Sequence, residues 1–179
     1  MSERFFVVTG GPGAGKTSLI TELARRGFHT IPESGRAIIR EELGRGGNAL
    51  PWADRTAFAA KMLERDLGAY RTAQALSGPV IFDRGIPDIL GYLALCGGPV
   101  PPQVAAAANA ARYARRVFVA PYWDEIFTQD DERRQSRAEA EATCNTMRET
   151  YAALGYEIME LPRMDITRRA DFVETHLAS

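Results

Sequence analysis

The feature that most constrains this chain is the run Gly10-Gly11-Pro12-Gly13-Ala14-Gly15-Lys16-Thr17, set directly after the apolar run Phe5-Phe6-Val7-Val8. It fits the pattern G-x-x-x-x-G-K-[ST]. A β-prone run before it and a helical pattern after it supply the strand–loop–helix setting that such a loop needs. The glycines let backbone N–H groups converge on phosphate oxygens, and the following helix turns its positive end to the same point. In that setting Lys16 contacts β- and γ-phosphates and Thr17 offers its hydroxyl to Mg²⁺. A chance match in a chain of this length arises on the order of one time in a hundred. Gly10, Gly11, Pro12, Gly13, Ala14, Gly15, Lys16, Thr17 and Ser18 are the expected nucleotide contacts, with ATP and Mg²⁺ as cofactors.

The rest of the chain alternates strand and helix. Apolar runs at 28–31, 80–82, 117–119 and 157–160 predict four further strands. Helical spacing predicts helices over 17–26, 34–43, 54–76, 87–95, 102–114, 138–153 and 166–177. Five short strands, most bounded by helices, argue for an α/β fold of three layers around a five-stranded parallel sheet. At 179 residues the chain suits a single domain over 1–179. Parallel sheets bind ligands at the carboxyl ends of their strands, so the residues that follow each strand are the ones to weigh.

Two of those strand ends carry carboxylates. Val80-Ile81-Phe82-Asp83-Arg84-Gly85 ends a strand with an acid and a guanidinium. Asp83 there suits holding Mg²⁺ through water, and Arg84 suits clamping a phosphoryl or substrate oxygen. The competing reading makes Asp83 a cap of the next helix. Glu33 follows the second strand and suits taking a proton from an attacking hydroxyl. The competing reading makes it an acid favoured by a helix dipole. Further on, Arg133 and Arg137 stand four apart in a densely charged run and share one helix face, whereas Arg134 points elsewhere.

A glycine loop, then strand–Glu, then strand–acid–Arg resembles the nucleoside and nucleotide kinases among the P-loop NTPases. The resemblance implies that Glu33 is the acceptor-side base and that Asp83 with Arg84 serves metal and phosphates. It implies an Arg-rich lid over 128–137 that closes Arg133 and Arg137 on the phosphates and excludes water. It also implies that the loop with Pro162 and Met164 packs on the adenine ring, and that the long helix over 54–76 lines the acceptor pocket. Those kinases usually carry Glu-Arg-Ser where this chain has Asp-Arg-Gly, which leaves Asp83 a competitor for the base. Through 10–17, 32–36, 82–85, 121–134 and 161–172 the chain is also similar to small bacterial AAA-domain ATPases and to the ribosylnicotinamide kinase domain. It shows neither the arginine-finger motif nor the second helical domain of an AAA+ machine.

Composition narrows the partners. Lys and Arg total 22 against 23 Asp and Glu, so the net charge of −1 argues against a nucleic-acid partner. No apolar run approaches the ~18 residues that span a bilayer, so no membrane partner is expected. Two cysteines, Cys96 and Cys144, fit neither a disulfide framework nor a zinc site and suggest a cytoplasmic protein. His29 and His176 are isolated, and Trp52 and Trp123 read as core or pocket wall. The main reading is an ATP- and Mg²⁺-dependent phosphotransferase for a small hydroxyl or phosphate acceptor, with nucleoside-like compounds among the candidates. The other is an ATP-binding, slowly hydrolysing module that switches a protein partner, with 44–52 as its reordering surface. A closed polar cavity between Glu33 and the long helix separates the two.

Overall fold

Alternation of side chains along β1 (Phe5–Gly10) sets the layers of the molecule. The computed structural model describes residues 3–127 and 136–177. Phe6 and Val8 point to one face of the sheet, where they meet Leu19, Ile20 and Leu23 of α1 (Lys16–Arg25) and Ala170 and Val173 of α7 (Ile166–Leu177). Phe5 and Val7 point to the other face, onto Ala73 of α3 (Arg55–Ala73) and Cys144 and Tyr151 of α6 (Arg137–Ala153). β3 (Val80–Asp83) and β4 (Arg116–Ala120) divide their side chains in the same way. A strand with apolar residues on both faces must be covered on both, and this arrangement covers it.

With β2 (His29–Ile31) and β5 (Glu157–Glu160), the strands lie in the order β2-β3-β1-β4-β5, all parallel. The chain crosses from β1 to one side of the sheet, then from β3 to the other. β1 is therefore the point where the direction of crossover reverses, and a crevice opens at its carboxyl end. The three-layer α/β arrangement with five parallel strands is the one that the sequence pattern implies.

The remaining helices build a wall beside that crevice. α2 (Ser34–Arg45) packs on α3 through Ile38, Ile39, Leu50 and Phe58. α4 (Ile86–Leu95) and α5 (Pro102–Ala110) pack on α3 through Ile89, Leu93, Val104 and Ala108. α5 stops at Ala110, four residues before the expected end. The chain leaves the helix because Ala114 N–H donates to Phe5 O at 2.7 Å, while Tyr113 inserts into the core at 1% exposure. Alanine-rich local propensity yields there to pairing with the central strand and to aromatic burial.

The segment from Gly46 to Asp54 is anchored by Glu42, which is almost fully buried. Its carboxylate accepts from Lys61 Nζ at 2.6 Å, from Ala49 N–H at 3.0 Å and from Arg45. Glu42→Ala leaves the buried Ala49 N–H without a partner, at a cost of about 1–3 kcal/mol. We expect a lower urea midpoint and new proteolytic cleavage between residues 46 and 54. Unchanged resistance in both assays would show that Leu50 burial alone holds the segment.

Candidate functional site

The glycine loop is wedged between two backbones. A Cβ on Gly10 would lie 2.4 Å from Ala120 O at the end of β4, and one on Gly11 would lie 2.3 Å from Ala140 O in α6. Only glycine fits at either position. Gly15 begins α1 with φ 78°; no side chain caps the helix and no acid stands in its first turn. The positive helix end is left directed into the loop. Lys16 is buried and folds back over the loop, donating from Nζ to Gly11 O at 2.5 Å, whereas Thr17 and Ser18 are exposed.

The β1–β3 register pairs Val8 with Asp83, and Arg84 N–H donates to Val8 O at 2.9 Å. This brings the acid–arginine pair beside the glycine loop. Asp83 Oδ1 is buried without a hydrogen-bond partner among the described residues. Burial raises the Asp83 pKa above the usual carboxylate range, against the lowering pull of Lys16 and Arg84. Arg84 sits at φ 69°, an uncommon conformation for a residue with a side chain. Its Nε lies 3.3 Å from Glu33 Oε1, and its Nη1 donates to Asp88 Oδ1 at 2.9 Å. Glu33 occupies the N-cap position of α2 without capping it, and its other oxygen lies 3.7 Å from Arg36 Nε.

Of these groups, Glu33, Arg84 and Asp88 face a cavity of ≈ 870 Å³. Pro12 of the glycine loop stands on its wall with Glu33, Ser34, Arg84 and Asp88; α3 contributes Phe58, Met62 and Asp66, and α6 contributes Glu139, Thr143 and Met147. Trp52 lies exposed on the lining. The size suits a small-molecule ligand, and the mixture of apolar walls and a few polar groups is what such a site needs.

Residues 5–169 match the AAA domain family. The chain belongs to that family. No curated protein matches it. Among solved structures, a deoxyadenosine kinase from M. mycoides with products dCMP and a flexible dCDP bound is similar at TM-score 0.70 and 13% identity, over 97% of this chain and 98% of that one. The same enzyme with dATP bound is similar at TM-score 0.58 and 15% identity, over 98% and 100%. A shikimate kinase from Acinetobacter baumannii in complex with shikimate is similar at TM-score 0.57 and 14% identity, over 98% and 93%. These likenesses are of fold, and the fold is that of P-loop kinases.

In this AAA-domain chain Glu33, Asp83, Arg84 and Lys16 gather at one end of the sheet. The helix-capping alternative for Asp83 falls to Asp88, whose Oδ2 accepts from Gly85 N–H at 3.0 Å. The glycine in place of the serine of Glu-Arg-Ser has a steric reason, because a Cβ at Gly85 would lie 2.9 Å from Tyr151 Oη. Pro162 O accepts from Arg169 Nε at 2.8 Å, and Met164 is exposed. Arg137 is exposed and paired with Asp124 at 2.7 Å. Arg133 and Arg134 lie outside the described residues, as does the expected lid apart from residues 136 and 137. No helix among the described residues is long and apolar enough to cross a membrane.

Two residues escape sequence reasoning. Asp88 reads as an ordinary acid in the first turn of α4, and Arg169 as one of a charged pair on α7. Arg169 is fully buried: its Nη1 donates to Ala14 O at 2.8 Å, and its guanidinium lies 5.3 Å from the Trp123 ring centre. Asp66 stands on the long helix that the resemblance puts beside the acceptor pocket, and the structure sets it in the cavity. Its pKa is raised to about 7, first by burial and then by the charge of Asp88, with the Ser34 hydroxyl and Arg65 opposing. A raised carboxyl pKa means that the folded state holds its proton more tightly than the unfolded state. That contribution is present at low pH and is lost as pH rises through about 7. The gain in melting temperature from Asp66→Asn should therefore be larger at pH 8 than at pH 5. A gain no larger at pH 8 than at pH 5 would refute the cost assigned to the ionised carboxylate.

Proposed function

We propose that this protein is an ATP- and Mg²⁺-dependent phosphotransferase acting on a hydroxyl group of a small molecule. The observation that carries the reading is the cavity, with Pro12 of the glycine loop and the Glu33–Arg84 pair in one wall. A module that only switches a partner needs no such chamber. Its expected moving surface, 44–52, is also tied down by Glu42 and by Leu50 in the core. The resemblance to deoxyadenosine and shikimate kinases in fold supports the same reading.

The residues present fit Mg²⁺: Asp83 offers a buried oxygen with no hydrogen-bond partner among the described residues, and Thr17 offers an exposed hydroxyl at the start of α1. Both are hard oxygen donors of the kind this ion takes. Bound there, Mg²⁺ would neutralise charge on the phosphate oxygens. The glycine-loop amides and Lys16 hold the β- and γ-phosphates in line with the cavity. Glu33 stands in the cavity wall and takes the acceptor proton as its hydroxyl attacks, whereas Asp83 is not part of that wall. Arg84, gripped by Glu33 and Asp88, holds its positive charge at the junction where charge develops in transfer. Pro162, Met164 and the arginines over 128–137 keep their proposed places at the base and over the phosphates.

Steady-state kinetics across a Mg²⁺ series test these roles. Lys16→Ala should abolish tight ATP binding in calorimetry. Glu33→Gln should lower acceptor-dependent kcat by about 10²–10⁴ with Mg²⁺·ATP affinity near the parent's. Asp83→Asn should weaken the response to Mg²⁺ as well as the rate. A Glu33→Gln enzyme with normal kcat would transfer the base role to Asp83.

A further inference from the structure

Among the described residues, the charges on the cavity wall do not balance. Its acids are Glu33, Asp66, Asp88 and Glu139, and its bases are Arg55 and Arg84. Both arginines are engaged: Arg84 lies between Glu33 and Asp88, and Arg55 Nε donates to Pro51 O at 3.3 Å. Asp88 is also satisfied by the Thr9 hydroxyl at 2.5 Å, by Gly85 N–H and by the Tyr151 hydroxyl at 2.7 Å. Glu139 accepts from Ser136 N–H at 2.6 Å at the start of α6. Asp66 differs from all of these. Its sequence neighbour Arg65 turns away to Glu41, at 2.7 Å. Among the described residues it has no ion pair; the Ser34 hydroxyl supports it, and Phe58, Met62 and Ile89 line the same cavity.

A carboxylate in that position takes a donor from the ligand. An N–H-bearing or cationic group relieves both its burial and the repulsion from Asp88. A carboxylate or phosphate on the acceptor would instead add a further negative charge to the same chamber. We propose that the acceptor is a hydroxyl compound bearing an amine and no anionic group, and that Asp66 recognises the amine. This rests on the cavity being the acceptor site of a phosphotransferase. Asp66 determines specificity and takes no part in proton transfer, which stays with Glu33.

The groups that act on Asp66 are the Ser34 hydroxyl from α2, Asp88 from α4, Tyr113 from the β4 approach and, through its charge alone, Arg65 on its own helix. Of these, burial raises Tyr113 well above its ordinary value, so it stays neutral across pH 6–8, whereas Asp66 changes its charge there. The test is an ATP-consumption assay over matched acceptor pairs, an amino sugar against the uronic acid of the same ring and an amino-substituted against a carboxy-substituted cyclitol. We expect the amine member of a pair to be used at least tenfold better in kcat/KM. Its KM should fall as pH rises from 6 to 8. Asp66→Asn should raise that KM by roughly 10–100-fold, flatten its pH dependence and leave kcat within about threefold. Preference for the anionic member, or an unchanged KM in Asp66→Asn, would overturn the inference and leave phosphoryl transfer standing. Loss of kcat at constant KM would make Asp66 a base and would equally overturn its recognition role. If no acceptor of either kind stimulates ATP consumption, the phosphotransferase reading fails and this inference fails with it.

Discussion

The side chain of Asp88 joins the parts of the molecule on which the site depends. One carboxylate accepts from Thr9 on β1, from Arg84 and Gly85 after β3, and from Tyr151 on α6. It therefore pins the strand that carries the glycine loop, the acid–arginine turn and the helix behind both. A buried carboxylate is costly unless it is hydrogen-bonded, and this one is bonded on all sides. The bonds to Arg84 and to Gly85 N–H also span the turn at which Arg84 takes its left-handed conformation. Strain of this sort persists where the surroundings over-determine it. The guanidinium is consequently held in one direction, towards Glu33.

A second clamp works from the other face of the sheet. Arg169 on α7 reaches Ala14 O in the glycine loop and Pro162 O after β5, and stacks near Trp123 after β4. Three loops at the carboxyl edge of the sheet thus share one buried cation. Burial and nearby Arg163 lower its pKa, but a guanidinium remains charged. The carbonyls it binds are among those that a loop would otherwise leave to water. With Gly10 and Gly11 pressed against Ala120 and Ala140, the glycine loop is fixed from both sides before any phosphate arrives. A preformed ring of amides costs little reorganisation when charge develops on a bound phosphate.

The cavity follows from how α2, α3, α4 and α6 fail to close on one another at this edge. Their apolar contacts are made away from the loop, through Ile38, Leu63 and Leu93, and leave Asp66, Ser34 and Glu33 lining the gap. An ionised Asp66 in that gap works against stability. A destabilising carboxylate kept in place of an apolar side chain is what the proposed pairing with a ligand accounts for. In the proposed reading the two clamps and the open wall divide the labour: the clamps hold the phosphate end, and selectivity falls to the side chains of α2 and α3.

The sequence by itself determined the alternation of strand and helix, the glycine loop, and the placing of Glu33, Asp83 and Arg84 after their strands. These are short-range properties. Spacing of apolar residues, glycine positions and helix starts act within about one turn, so they can be read without knowing the fold. Tertiary structure alone decided that α5 ends at Ala110, that Asp88 caps where Asp83 does not, and that Arg169 is buried. It also decided that Asp66 faces a cavity and Arg65 faces Glu41. The reason is separation along the chain. Tyr151 lies 63 residues from Asp88, Thr9 lies 79 from it, and Arg169 lies 155 from Ala14. A charged residue in a helix looks the same in sequence whether it meets water or a partner of that kind, and only the packing of the layers distinguishes the two.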